Sequence, residues 1–212
     1  MNASANHLAE QFDDAVQQRE ASILGMWAFL ATEILFFGVL FAGYTFCRVT
    51  FPTAFAEASR HTDMLLGTLE TAALLSSSCA VALAVREVQL GGQRAATWLL
   101  LTTAALGVAF IVMHGFEYVA EYHEGLIPGI RYTQRGPQAA PMQLFFCLYY
   151  FITGFHSLHV TIGIGLLLAM AWRTHRNAFD QDYHTPLELT ALYWHLVDIV
   201  WIFVYPLIYL IG

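Results

Sequence analysis

Residues 186–212 read PLELTALYWHLVDIVWIFVYPLIYLIG. About 20 apolar residues suffice for a helix to cross a bilayer, so this stretch is long enough to span one. His195 and Asp198 stand near its middle, three positions apart and therefore on one helical face. Trp194 and Trp201, seven positions apart, lie on a similar face. Ionisable groups at membrane depth are costly and face protein or a water-filled cavity rather than lipid. The segment is thus expected to have a lipid side and a side that requires a partner.

Composition extends this reading to the whole chain. Its 212 residues are 58% hydrophobic and 12% charged, with a mean hydropathy of +0.55. A soluble domain is nearer one quarter charged, so an integral membrane protein is expected. Nine basic residues, all Arg, stand against sixteen acidic ones. That balance supplies no basic patch for nucleic acid. Cys47, Cys79 and Cys147 form no CxxC pair and sit in or beside apolar runs, where small buried residues are expected rather than a metal site or disulfide frame. Residues 1–21 are polar and acidic, without the basic start and apolar run of a signal peptide. The first span is therefore expected to serve as the insertion signal.

Five apolar segments are long enough to span, at about residues 22–48, 64–85, 95–120, 141–172 and 186–212. The expected fold is all-α: a polytopic membrane bundle of five transmembrane helices, forming a single membrane domain over 1–212 behind the polar tail 1–21. The connections fit this scheme. Gly91 and Gly92 are helix stops. The longest loop, EYHEGLIPGIRYTQRGPQ, is rich in Gly and Pro. Thr185-Pro186 suits a helix start, with Thr185 as cap and Glu188 placed for a capping box. With the N-terminus inside, the inner side carries Arg19, Arg86, Arg94, Arg173 and Arg176, and the outer side Arg48, Arg60, Arg131 and Arg135. The richer side is cytoplasmic by the positive-inside rule, which favours a cytoplasmic N-terminus by one residue. Trp98, Trp172, Tyr44, Tyr132, Tyr205 and Tyr209 are placed for aromatic belts.

The polar residues within these spans are the functional candidates. Glu33 is mid-span, and could be a neutral hydrogen-bonding acid, a proton-relay member, or the partner of an Arg or His on another helix. Glu70 stands beside a stripe of Thr68, Thr71, Ser76, Ser77 and Ser78. Such hydroxyl residues let helices approach and hydrogen-bond, so helix packing is expected there. His114, Glu117 and Glu121 share a face. A His/Glu cluster can hold a metal, while a solvated helix end is the plainer reading, above all for His123 and Glu124. His156 and His159 could ligate a haem iron, as could His195, or donate hydrogen bonds between helices. Gly154, Gly163 and Gly165 point to close packing nearby. No GxSxG, GxxxxGK[ST], HExxH or CxxC motif occurs.

Taken together these motifs resemble subunit III of the haem–copper cytochrome c oxidases, over nearly the whole chain. YWHLVDIVWIF, with Tyr193, Trp194, His195, Asp198 and Trp201, is similar to that family's C-terminal signature. TGFHSLHVTIGIGLL resembles its glycine-and-histidine motif at His156 and His159. ATEILFFGVLF resembles the segment holding its buried, carbodiimide-reactive glutamate, here Glu33, and FEY its Glu-Tyr pair, here Glu117 and Tyr118. The chain lacks two N-terminal spans of the seven-span mitochondrial form and is similar to the five-span bacterial form, whose relatives also serve quinol oxidases and nitric oxide reductases. Glu33 and the HEGLIPG loop look more like the cytochrome c branch.

The resemblance implies a non-catalytic subunit of a proton-pumping terminal oxidase, in the bacterial plasma membrane, with its N-terminus cytoplasmic and its C-terminus periplasmic. It implies no catalytic, haem, copper or other metal ligands in this chain. Haem and copper belong to the partner subunits I and II, and phospholipids bind in a cleft between helix groups. Subunit I is the implied main contact, with a respiratory supercomplex as a wider setting. Glu33, Glu117, Tyr118, His156, His159, Trp194, His195, Asp198 and Trp201 become structural, lipid-cleft or proton-related groups. Two other classes fit the residues less well. A di-haem cytochrome b anchor needs four histidines at depth, well separated along the helices, whereas His156 and His159 share one level. A small transporter is expected to carry internal repeats, and none is seen.

Overall fold

Helix α1, Ala15–Thr50, starts where the Asp14 side chain accepts a hydrogen bond from the Gln17 backbone N–H at 2.7 Å. Such a cap satisfies one of the free donors at a helix start. In this computed structural model residues 10–179 and 183–210 are described. Residues 1–9 of the polar tail and 211–212 of the last expected span lie outside them. The helix therefore begins inside the expected tail, not near residue 22, because polar residues after a good cap extend a span into the headgroup region. Only Leu30, Phe37 and Tyr44 of α1 are buried.

The connection after α1 is not a plain loop. Pro52 opens a short helix, α2 (Pro52–Ser59), which buries Ala54, Phe55, Ala58 and Ser59. Proline suits that first position because its missing N–H has no helical partner to lose. Phe55 meets Tyr44 and Phe145 edge-on, at 5.5 and 5.4 Å between ring centres. Asp63 then caps α3 (Met64–Gln89), accepting from the N–H groups of Leu65 and Leu66. Gly91, at φ +84°, makes the turn into α4 (Gln93–Glu124). That left-handed conformation suits glycine, which has no Cβ to clash.

The long Gly/Pro loop contains a small antiparallel hairpin, β1 (Leu126–Ile127) with β2 (Arg131–Tyr132). Tyr132 ties the hairpin to the next helix by donating to the Ala139 carbonyl at 2.9 Å. Helix α5 runs Ala139–His175 and α6 runs Thr185–Ile208. Thr185 already lies inside α6, and His184 takes the cap position without a side-chain capping bond. The expected capping box is therefore not formed. Glu188 instead reaches His184 Nε2 at 3.1 Å, Gln89 Nε2 at 3.3 Å and Arg19 at 3.3 Å.

Among the described residues five of the six helices, all except α2, are long and apolar enough to cross a membrane. Helices α3 and α4 pack most extensively, followed by α4 on α5 and by α6 against both α5 and α3. Twelve residues of α6 are buried, against three of α1. The helix carrying the ionisable pair is thus the centre of the bundle, and α1 is its edge.

Two expectations about surface residues change. Tyr44 and Tyr209 are buried rather than in an aromatic belt. Tyr44 donates to the Leu207 carbonyl at 2.7 Å. Trp98 and Trp172 are exposed as expected and line one groove with Arg94 and His175. The cysteines are free, but Cys79 and Cys147 lie on the outer surface instead of inside. A thiol facing lipid carries little cost, since the surround there is as apolar as the core.

Candidate functional site

Lipid is as apolar as a leucine side chain, so helices in a bilayer are held by close packing and hydrogen bonds rather than by escape from water. The α3–α6 contact is built this way. The two helices run antiparallel, and the hydroxyls of α3 meet α6 in order. Thr68 pairs with the Tyr205 hydroxyl at 2.7 Å. Trp201 Nε1 donates to Thr71 Oγ1 at 3.1 Å, and Trp194 Nε1 donates to Ser77 Oγ at 2.9 Å. Ser78 Oγ lies 2.7 Å from His195 Nδ1 and also against the buried Asp198 carboxyl. The partner that the His195–Asp198 face requires is therefore α3. Of the predicted stripe, Ser76 alone bonds only to its own helix, through the Ala72 carbonyl.

Trp194 is fully buried, and glycines clasp it from two helices. A Cβ added to Gly163 would stand 2.7 Å from its Cε3, and one added to Gly107 would stand 2.7 Å from its Cη2. Gly163 was among the glycines expected to pack closely; Gly107 was not. Gly165 has open space instead, and Gly154 meets only the Tyr118 hydroxyl, at ordinary contact distance.

The two histidines of the fourth span part company. His156 is fully buried between Phe110 and Trp201, with ring centres 5.5 and 5.0 Å away. His159 points to the edge of the bundle. Its Nε2 is 3.0 Å from Glu33 Oε2 on α1, and its Nδ1 is 2.7 Å from the Phe155 carbonyl oxygen. A carbonyl only accepts, so Nδ1 carries a proton. One further proton then lies between Nε2 and Oε2. Of the roles open to Glu33, the structure realises that of partner to a histidine on another helix. The pair lines a groove of about 430 Å³ with Met26, Phe29, Ile162 and Tyr193, between α1 and the α5–α6 wall.

A second polar cluster lies towards the other end of the bundle, away from the N-terminus. Glu70 from α3 and His114, Glu117 and Glu121 from α4 are all buried. His114 Nδ1 is 3.5 Å from Glu70 Oε1 and 3.4 Å from Glu117 Oε2. Tyr209 donates to Glu117 Oε2 at 2.6 Å, and the Asp63 N–H donates to Glu117 Oε1 at 3.3 Å. Glu121 lies against Tyr149 and Tyr150. Tyr118, next to Glu117, turns to Thr153 on α5 at 2.6 Å. The solvated-end reading thus holds for His123 and Glu124, which are exposed, and not for Glu117 or Glu121. Nor is Glu70 only a packing residue. The shared face of His114 and Glu117 was visible in their spacing; the arrival of Glu70 and Tyr209 on that face was not.

The geometry does three chemical things. It fixes helix contacts through single, directed hydrogen bonds. It pairs a carboxyl with an imidazole in the lining of a largely apolar groove. It gathers three carboxyl groups and an imidazole in a buried interior.

Comparison with known proteins places this arrangement. The family described as Cytochrome c oxidase subunit III matches residues 7–212. "Cytochrome c oxidase subunit 3" of Thermostichus vulcanus is 32% identical over 203 residues, covering 94% of this chain and 92% of that protein. "Probable quinol oxidase subunit 3" of Staphylococcus aureus (strain USA300) is 26% identical over 207 residues, covering 98% and 97%. The chain belongs to the cytochrome c oxidase subunit III family. It is a multi-pass membrane subunit of a haem–copper oxidase, an oxidoreductase complex whose other subunits are its partners.

Proposed function

We propose that this chain is the non-catalytic subunit III of a proton-pumping oxidase that passes electrons from cytochrome c to oxygen in a bacterial plasma membrane. It stabilises subunit I, holds phospholipid between its helix groups and supports proton uptake. Its N-terminus is cytoplasmic and its C-terminus periplasmic. Haem and copper reside in subunits I and II.

The observation that carries this reading is the groove beside α1. It has room for acyl chains, and its largely apolar lining is interrupted by the Glu33 carboxyl and the His159 imidazole, with the Thr190 and Tyr193 hydroxyls beside them. A carboxyl and an imidazole that share a proton are neutral together, so the pair can stand at a lipid-filled edge without a bare charge in the membrane. The deep histidines support the absence of a redox centre in this chain. His114 faces carboxylates, His156 faces rings, His159 faces Glu33 and His195 faces Ser78.

The 32% identity to a relative named for cytochrome c favours that donor over the quinol named for the 26% relative. Quinol is the second reading. The test is purification of the complex through a tag on this chain. Copurifying subunits I and II with haem and copper, bound phospholipid, and oxidation of reduced cytochrome c are expected. Oxidation of quinol but not cytochrome c would select the second reading. A stoichiometric Soret band from the isolated chain would overturn the first.

A further inference from the structure

The groove between the start of α4 and the end of α5 plays no part in the oxidase reading. It measures about 520 Å³ and shares no lining residue with the groove beside α1. It lies at the end of the bundle where α1 begins, the end at which Arg19 and Gln89 both meet Glu188.

Its two walls repeat one order in opposite chain directions. On α4, Arg94 is followed by Trp98 and then Leu101. On α5, read back from the helix end, His175 is followed by Trp172 and then Leu168. At 1.5 Å per residue, each wall runs about 10 Å from a basic group, past an indole, to leucine. The same order runs through a phospholipid, from phosphate through the glycerol level to the acyl chains. Indoles favour the level between headgroups and hydrocarbon, and both of these are exposed.

A second observation selects the sign of the headgroup. Among the described residues, neither Arg94 nor His175 has an ion pair or a side-chain hydrogen bond. Arg176, one residue beyond His175, lies over the Trp172 ring with its Cζ 4.3 Å from the ring centre. A guanidinium stacked on a ring keeps its edge N–H donors free, and such a fork binds phosphate through two parallel hydrogen bonds. No Asp or Glu is among the described lining residues. The ammonium of a zwitterionic headgroup would therefore find cations here and no carboxylate to receive it.

We propose that this groove is a second lipid site, selective for an anionic phospholipid. Arg94 and Arg176 hold the phosphate, with His175 beside it. Trp98 and Trp172 flank the glycerol level, and one acyl chain runs down over Leu101 and Leu168. The site is separate from the groove beside α1 and does not depend on what fills that one.

The test uses the purified full-length chain, delipidated in detergent, and phosphatidylglycerol or phosphatidylcholine carrying a photoreactive acyl chain. Labelled peptides are located by mass spectrometry. Phosphatidylglycerol should label the peptides holding Leu101 and Leu168 in preference to phosphatidylcholine. Arg94→Gln should weaken that labelling about 5-fold, the contribution of one basic residue at an anionic surface, and Arg94→Gln with Arg176→Gln about 25-fold. Glu33→Ala should leave it unchanged, which separates this site from the groove beside α1. Glycerol phosphate, a headgroup without chains, should not compete at the same concentration. Helical circular dichroism checks that each variant is folded. Equal labelling of these peptides by the two lipids overturns the proposal, as does undiminished labelling in the folded double variant or competition by glycerol phosphate. So does loss of the labelling in the purified oxidase complex, where a partner helix would then cover the groove.

Discussion

Gly163→Ala tests the reasoning about what holds this bundle together, because two known effects oppose each other there. Alanine is a better helix residue than glycine by about 1 kcal/mol. Against that, the new Cβ would stand 2.7 Å from Trp194 Cε3 and 2.8 Å from Cζ3. Overpacking of this kind costs about 1–3 kcal/mol when the neighbour must move. The indole has little room to move. Gly107 closes on another part of the ring, and its Nε1 is tied to Ser77 at 2.9 Å. The cost should fall near the upper end, leaving a net destabilisation of about 2 kcal/mol, or about 30-fold in the folded ratio. Gly165→Ala is the control two residues away, where nothing lies within 4 Å of the added Cβ. It should be neutral, or more stable by up to about 1 kcal/mol. The assay is equilibrium unfolding of the purified chain in mixed detergent and denaturing micelles, followed by helical circular dichroism. The double change at Gly107 and Gly163 should cost less than the sum, since both displace one indole. A Gly163→Ala chain as stable as Gly165→Ala would refute the claim that the glycine–tryptophan clasp is tight.

Four other outcomes are expected. Ser77→Ala and Thr71→Val each remove the acceptor of a buried indole N–H, and each should cost about 0.6–2 kcal/mol in the same unfolding assay. Asp198→Ala should weaken assembly or sustained turnover, read by native gels and by activity decay, while the haem spectrum stays unchanged; a lost haem band in fully assembled complex would contradict its placement against α3. Glu33→Ala should reduce tightly bound phospholipid, measured by mass spectrometry of lipid extracts, with little change in unfolding. Arg19→Ala should cost under about 1 kcal/mol, because its bridge to Glu188 is exposed and exposed pairs contribute little.

The sequence displayed the spans plainly because each is a run of apolar residues with its own stops, such as Gly91 and Pro52. It displayed the α3 stripe because hydroxyls at helical spacing have few uses in a span other than contact with a neighbour. The structure extends the helices past the apolar runs, since Asp14 and the polar turns after it cap and lengthen α1 without raising its hydropathy. What spacing could not display was pairing between helices. His114 and Glu117 announce a shared face by their separation of three, but nothing local says that Glu70 and Tyr209 complete it. Gly107, four residues after Thr103 in LTTAALGVAF, falls in a small-xxx-small pattern, a recognised mark of close approach. It was the one available signal for the second jaw of the Trp194 clasp. Tyr44 and Tyr209 misled for the opposite reason: tyrosine near a span end suits a headgroup belt and a buried hydrogen bond equally well.

The distribution of directed bonds divides the molecule mechanically. Helices α3 and α6 share at least four polar contacts along their length, and Gly107, Gly163 and Trp194 lock α4 and α5 to them. Helix α1 is held differently. Its side-chain hydrogen bonds to the rest of the bundle include Arg19 to Glu188, Glu33 to His159 and Tyr44 to the Leu207 carbonyl, spaced along its length. Between those levels it offers aromatic contacts, such as Phe36 on Phe155 at 5.2 Å and Phe41 on Phe203 at 6.3 Å. Rings of this kind can part and admit an acyl chain without stranding a polar group. The groove lies beside α1, and changes on its two sides should separate. Loss of an α1 anchor should alter what fills the groove while the bundle stays folded, whereas loss of an α3–α6 bond should lower the stability of the whole.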